Sequence, residues 1–400
     1  MMRRPNLAVA TLVVCQGVIT LGLMVLVPIM PFYLHDLSGG SGIDVARWTS
    51  IALAAPGVGA LLCAPYAGQW CDRFGYRCAL LLALALFVAS MTTMAVSHNV
   101  VMFVAGRLLQ GASTVGVIIT AFISRVSDPA SQGRSLGLQE SAVAAGALLG
   151  PVLGGVLQDR WSVRPLLLGV AICTGVALLL LVFGLREPDQ REAASDAGMA
   201  HPHRAWFADP VLLRWLLAGA LTQAGAFSLV NIFALFVDAR LAGTASLASK
   251  IGVLHALGWA ATLLAGPWWG ARNDRGDPAR HFVAAALACA IVLALMPFAS
   301  HLWQIGVLRI AQGACYAALA QSALLLCCRT APPALRSRVT VVSKSAMVLG
   351  QLLGPLAVLV FLPFVGPAAT LWLTASMFVA AAAVAYSAPT VSPFSVSDSR

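Results

Sequence analysis

Charge is scarce in this chain: Asp, Glu, Lys and Arg together make up only 10% of its 400 residues. A soluble domain carries about 25%, so the chain has too little polar surface to face water on all sides. Acids are scarcer still, 15 against 25 basic residues, for a net charge of +10. Such an excess would suit nucleic acid if it were gathered on one soluble face. Here the basic residues fall between apolar stretches, and no nucleic-acid partner is expected. There is no HExxH pair, no GxSxG elbow and no Walker loop, and no polar segment is long enough for a catalytic domain. Neither an enzyme nor a cofactor or metal is expected. Nine cysteines are present, but no pair of CxxC motifs. Cys15, Cys63, Cys173, Cys289 and Cys315 lie in apolar runs, and Cys71, Cys78, Cys327 and Cys328 lie at helix ends, so they read as free thiols packed as small apolar groups. The first apolar stretch, 6–33, is longer than a signal h-region and has no small-residue cleavage site, so it reads as a retained span.

Apolar length is what the chain has in abundance: 60% of residues are hydrophobic and the mean hydropathy is +0.86. A helix crosses a bilayer in about 20 residues, because the hydrocarbon core is about 30 Å thick. Twelve such spans fit, at 8–33, 46–67, 78–97, 100–124, 136–158, 164–185, 211–237, 248–270, 281–299, 304–328, 340–362 and 366–388. The fold class is therefore all-α and integral to the membrane. Its expected parts are a six-helix bundle over 1–187, a polar linker over 188–208, a second bundle over 209–390 and a tail over 391–400. With the N-terminus inside, 17 Lys and Arg residues fall on the inner side, five fall outside and three lie within spans. Basic residues resist translocation, so this bias puts both termini in the cytoplasm of a bacterial-type inner membrane.

The two halves repeat one another. GQWCDR begins at Gly68 and GARNDR at Gly270; RLLQGA begins at Arg107 and RIAQGA at Arg309, both offsets being 202. GALLGP at Gly146 returns as GQLLGP at Gly350, an offset of 204. Parallel duplication places a pseudo-two-fold axis along the membrane normal and a site between the halves.

With these blocks in view, the chain resembles the major facilitator superfamily, and within it the twelve-helix drug:proton antiporters. The resemblance covers nearly the whole length. Gly68, Asp72, Arg73, Gly75 and Arg77 match the loop between the second and third spans; the family uses it as a latch, and Asp274 and Arg275 repeat it. From the residues alone, the same block could be an ordinary charged turn, with Arg73 or Arg77 pairing with acids or lipid headgroups. Gly146, Gly150, Pro151, Gly154 and Gly155 resemble the antiporter motif of exporters in the fifth span. Glycines four apart let another helix approach closely, and Pro151 bends the helix. Pro28 and Pro31 resemble a proline pair of the same subgroup.

Arg107 lies inside the fourth span, where an arginine costs about 2.5–3.5 kcal/mol on insertion scales. The resemblance implies a proton-relay or pKa-setting role, and a structural arginine bonded to carbonyls is the alternative. Glu140 is the one acid clearly inside a span. Burial raises a carboxyl pKa, so it could take a proton during transport; equally, it could face water at the helix end. Lys344 stands at the equivalent position 204 residues on, as a counter-charge or as a snorkelling side chain. The resemblance further implies a cavity lined by spans 1, 4, 7 and 10, giving Gln16, Gln110, Gln223, Phe227, Asn231, Phe233, Gln312, Tyr316, Gln321 and Lys344 as substrate candidates. His255 and Trp259 are further ones. Apolar walls with a few amides suit an amphipathic small molecule. The expected function is proton-coupled efflux of a drug or metabolite, acting as a monomer among membrane lipids. The alternatives are a dedicated siderophore exporter and a sugar or organic-acid uptake symporter.

Overall fold

A computed structural model describes residues 7–38, 42–126, 132–184, 209–241, 245–330 and 336–386. All regular structure among them is helical. In lipid a backbone must satisfy its own polar groups, which a helix does within a single segment. The helices are α1 (Leu7–Ser38), α2 (Gly42–Phe74), α3 (Tyr76–Ala95), α4 (Val100–Ala112), α5 (Val115–Val126), α6 (Gln132–Arg160) and α7 (Val163–Gly184). Then come α8 (Pro210–Leu241), α9 (Leu247–Arg275), α10 (Pro278–Leu295), α11 (Leu302–Thr330) and α12 (Arg336–Tyr386).

Among the described residues, ten helical stretches are long and apolar enough to cross a membrane. One of them, Val342–Tyr386, is two crossings joined at Gly366 (φ 74°, ψ 174°). The apolar part of α2, Arg47–Cys63, supplies one more, which brings the crossings to twelve. The fourth expected span is divided into α4 and α5. Thr114 adopts φ 46°, and the Ser113 hydroxyl donates to Gln110 O (2.6 Å) in place of the helical ladder. Side-chain bonds of this kind compete with the helix. Nevertheless Val100–Ile123 makes one crossing.

The charged blocks at the helix ends differ from expectation. The loop expected over 68–77 is helical as far as Phe74, and reversal is confined to Gly75. Gly75 takes φ 86°, a left-handed backbone that only glycine adopts without strain. The repeat block is likewise the last turn of α9, ending at Arg275.

The chain forms two compact units. The first holds residues 1–199 with Val230–Ala260 and Pro355–Pro367; the second holds Ala200–Leu229, Ala261–Gly354 and Ala368–Arg400. In the first, α1 packs along α6, α2 along α4, and α3 along α7. Leu12, Leu26, Ile29, Met30, Phe87, Phe103 and Phe122 fill its core. In the second, α10 lies along α11 and Trp215 meets the Phe282 ring edge-on at 5.7 Å.

Candidate functional site

In the first unit, α4 begins where Asn99 Oδ1 accepts from Met102 N (2.8 Å), a side-chain N-cap. Two turns on, Arg107 is buried. Its Nε donates to Ala52 O of α2 (3.0 Å) and its guanidinium also donates to Gln110 Oε1. Gln110 Nε2 lies against Met91 Sδ of α3 (3.9 Å). Arg107 thus ties three helices together through a carbonyl, an amide and a thioether, and Gln110 spends its amide inside that cluster.

The second unit repeats the device. Buried Arg309 donates through NH1 to Gln312 Oε1 (2.7 Å). Gln223 accepts from Gln351 Nε2 (3.4 Å) and pairs with Tyr316, bringing two predicted cavity residues together. Phe227 is half-buried one turn along α8. Gln321 donates to Ala317 O (2.8 Å) and Gly266 O (3.3 Å). Lys344 is exposed near the start of α12.

The glycine motif of α6 works on two faces. A Cβ at Gly146 would stand 2.8 Å from Leu21 N, at Gly150 2.6 Å from Met24 Cβ, and at Gly154 2.2 Å from Val25 O. All three positions press on α1. Gly155 faces α9 instead, where a Cβ would stand 2.3 Å from Ala248 O, and a Cβ at Gly252 would stand 2.2 Å from Pro151 O. Backbone therefore meets backbone on both sides of α6. One turn further, Asp159 Oδ2 accepts from Ser249 N (2.8 Å) and from the Ser249 hydroxyl. A carboxylate thus sits on the N-terminal turn of α9, where the helix dipole favours it.

Three of the buried polar groups in this unit have acceptors to spare. Asn231 Nδ2 donates to Ser50 Oγ (2.9 Å), and Gln16 Nε2 donates to Thr20 Oγ1 (3.2 Å). Asn231 Oδ1, Gln16 Oε1 and Thr49 Oγ1 are buried with no hydrogen-bonding partner among the described residues. Buried acceptors are ordinarily satisfied, so these three mark places for water or a polar ligand group. Phe233 is fully buried, with its ring 4.9 Å from that of His255.

Glu140 belongs to α6, and its side chain lies outside the described set, as do those of Asp72, Asp274 and the Gly68 position. The preceding residue was missed from sequence. Gln139 is buried and donates through Nε2 to Thr120 Oγ1 (2.7 Å). Thr120 in turn donates to Gly116 O (2.8 Å), and a Cβ at Gly116 would stand 3.6 Å from Gln16 Oε1. A polar strip thus runs across α1, α5 and α6. Threonine and glutamine inside apolar runs signal nothing until a partner helix is known. Arg77 donates to Val182 O of α7, a carbonyl freed at that helix's C-terminal end. Arg73 lies over the Phe74 ring at 5.4 Å, and Arg275 is exposed. No group of three His, Cys, Asp or Glu side chains poised for a metal occurs among the described residues.

Comparison with known proteins gives one coherent picture. The chain is 27% identical over 361 residues to the staphyloferrin B transporter of Staphylococcus aureus, covering 89% of this chain and 86% of that one. It is also 27% identical over 333 residues to multidrug resistance protein MdtG of Enterobacter lignolyticus, covering 82% and 79%. Its fold matches the inward-facing, unoccupied structure of a bacterial homologue of the human lysosomal transporter Spinster, with a TM-score of 0.80 at 16% identity over 96% of this chain and 97% of that one. The family model described as Major Facilitator Superfamily matches residues 12–248 and 241–397. With twelve crossings arranged as a duplicated unit, this multi-pass membrane protein belongs to the Major Facilitator Superfamily.

Proposed function

We propose that the protein is a proton-coupled secondary transporter that exports a small amphipathic molecule across the bacterial inner membrane by alternating access. The observation that carries this reading is α6, which presents glycine backbone to α1 on one face and to α9 on the other. α1 and α6 belong to the first sequence repeat, and α9 belongs to the second. A contact in which glycine backbone meets backbone and one carboxylate holds a helix N-terminus can part and re-form with little repacking. On this reading the bundles over 1–187 and 209–390 are the moving bodies, joined by the linker over 188–208. Both termini then lie in the cytoplasm, in keeping with the basic-residue bias, and the monomer is the working unit. The protein performs no covalent chemistry and needs no cofactor.

The coupling site is Glu140, set beside the Gln139–Thr120–Gln16 strip, with Arg107 holding the neighbouring helices. Protonation neutralises the carboxyl, removes the cost of carrying a charge through the closed state, and returns the carrier. Substrate meets the free acceptors of Gln16 and Asn231 in the first unit, beside the buried Phe233 of the same unit. The test uses inverted vesicles energised by an imposed proton gradient. Wild type accumulates substrate and discharges the gradient; Glu140→Gln loses at least about tenfold of proton-driven transport, because the amide can neither take up nor release the proton. Full proton-driven transport by Glu140→Gln would sink the coupling assignment.

A second reading narrows the cargo to a siderophore or similar metabolite. It is favoured by the match to the staphyloferrin B transporter, which runs over 361 residues. Competition between staphyloferrin B and a hydrophobic cation for the same vesicular uptake separates it from a general drug pump.

A further inference from the structure

A pocket of about 390 Å³ opens where α9 ends and α10 begins, lined by Trp268, Ala271, Arg272, Arg275, Gly276 and His281. No acid lines it. Arg272 and Arg275 are both exposed, and the Arg272 guanidinium lies over the Trp268 ring, 5.3 Å from its centroid. The nearest described carboxylate, Asp277, is engaged elsewhere: it caps α10 by accepting from Ala279 N (2.9 Å) and pairs with Arg280 at 3.4 Å. On the α10 side, the His281 ring is held by a bond between Nδ1 and Asn273 Oδ1 (2.9 Å). The wall between is glycine, and a Cβ at Gly276 would stand 2.8 Å from His281 Cε1. A side chain at position 276 would crowd His281 and narrow the concavity.

The pocket continues a stripe along α9. Leu264, Trp268, Arg272 and Arg275 lie four, four and three residues apart, on one helical face. Leu264 is 78% exposed and Trp268 is 56% exposed. Read along the axis, this face is aliphatic, then an amphipathic ring, then two guanidinium groups, over about 16 Å of helical rise. A phospholipid has the same sequence of chemistries from acyl chain to glycerol to phosphate. Tryptophan favours the headgroup level, and arginine forms forked bonds to phosphate oxygens.

We propose that this pocket seats the phosphate headgroup of an anionic membrane lipid, with the acyl chains running along the exposed Leu264–Trp268 face of α9. A free phosphate ester shares the headgroup chemistry but would leave that apolar half of the stripe unused. The proposal stands or falls independently of what the protein transports.

The test is native mass spectrometry of the full chain released from nanodiscs containing equal parts phosphatidylglycerol and phosphatidylcholine. Wild type retains phosphatidylglycerol in excess. Arg272→Gln lowers that excess about fivefold, the weight of one arginine at a membrane surface, and Arg272→Lys keeps most of it. Arg329→Gln removes an exposed charge that does not line the pocket and leaves the excess unchanged. Should Arg272→Gln not elute as a folded species, Ala271→Glu places a carboxylate on the pocket wall without touching Arg272, and abolishes the excess. The proposal is overturned if Arg272→Gln or Ala271→Glu retains wild-type enrichment, or if Arg329→Gln lowers it equally. It is also overturned if millimolar glycerol 3-phosphate strips the bound lipid, which would mark the pocket as a site for a soluble ester.

Discussion

The two sequence repeats share a frame, and one of the places where they part lies just beyond the prolines of α6 and α12. Both bury an arginine that donates to the glutamine three residues on, Arg107 to Gln110 and Arg309 to Gln312. Both lay a glycine-proline helix on the first helix of their own repeat: a Cβ at Gly350 would stand 2.1 Å from Ala220 O, and one at Gly354 2.3 Å from Ala224 O, just as Gly146 and Gly150 press on α1. Beyond the proline they diverge. Pro151 is followed by Gly154 and Gly155, whereas the matching positions after Pro355 are Val358 and Leu359. Gly154 lets α6 bring its backbone to α1 and Gly155 lets it reach α9, while Val358 is fully buried and Leu359 half-buried. The scaffold is shared, and this divergence touches one contact inside the repeat and one with a helix of the other.

If that contrast is functional, the arginines should be unequal. Arg107→Ala leaves Ala52 O and Gln110 Oε1 buried without their donor, at about 1.5–3 kcal/mol for each bond to a charged group. Proton-driven transport in vesicles should fall about a hundredfold, against about tenfold for Arg309→Ala. Equal losses would mean that the two clusters serve one structural purpose. Next comes Gly154→Val, which copies the second repeat into the first. Its branched side chain would collide with the Val25 carbonyl at a Cβ distance of 2.2 Å. Overpacking of this kind costs about 1–3 kcal/mol, seen as a lower unfolding temperature in detergent. Gly169→Ala, where a Cβ meets nothing within 4 Å, should leave that temperature unchanged. The smallest effect is expected for Asp159→Asn, which removes a charge from the α9 N-terminus worth about 0.3–1 kcal/mol. A cysteine at Ser50, introduced into a cysteine-free background, should then react with an impermeant maleimide about threefold faster. An unchanged rate would show that Asp159 does not hold α6 against α9.

Much of the frame could be read without coordinates because lipid simplifies the rules. Each crossing announces itself by apolar length, and the duplication appears as fixed offsets. The α4–α5 break was not legible, since Ser113 and Thr114 are unremarkable in a helix and only the left-handed backbone shows that the ladder stops. The ends of α2 and α9 were misjudged for a related reason: charged residues suggest a loop, yet a helix continues into water wherever nothing breaks it. Of the site, the glycine motif and the buried arginines stood out by type and spacing. Gln139, Thr120, Ser50 and Asp159 did not, because each becomes notable only through a partner more than fifteen positions away, on another helix.

Thr114 carries a consequence for how the fourth crossing behaves. A β-branched side chain at φ 46° holds the chain in a conformation that costs about 1–3 kcal/mol. The rod through the bilayer is thus jointed rather than stiff, and its elbow sits one turn from Gln110. Lateral pressure on the bundle has a built-in place to bend, and any relaxation of that elbow reaches the buried arginine first.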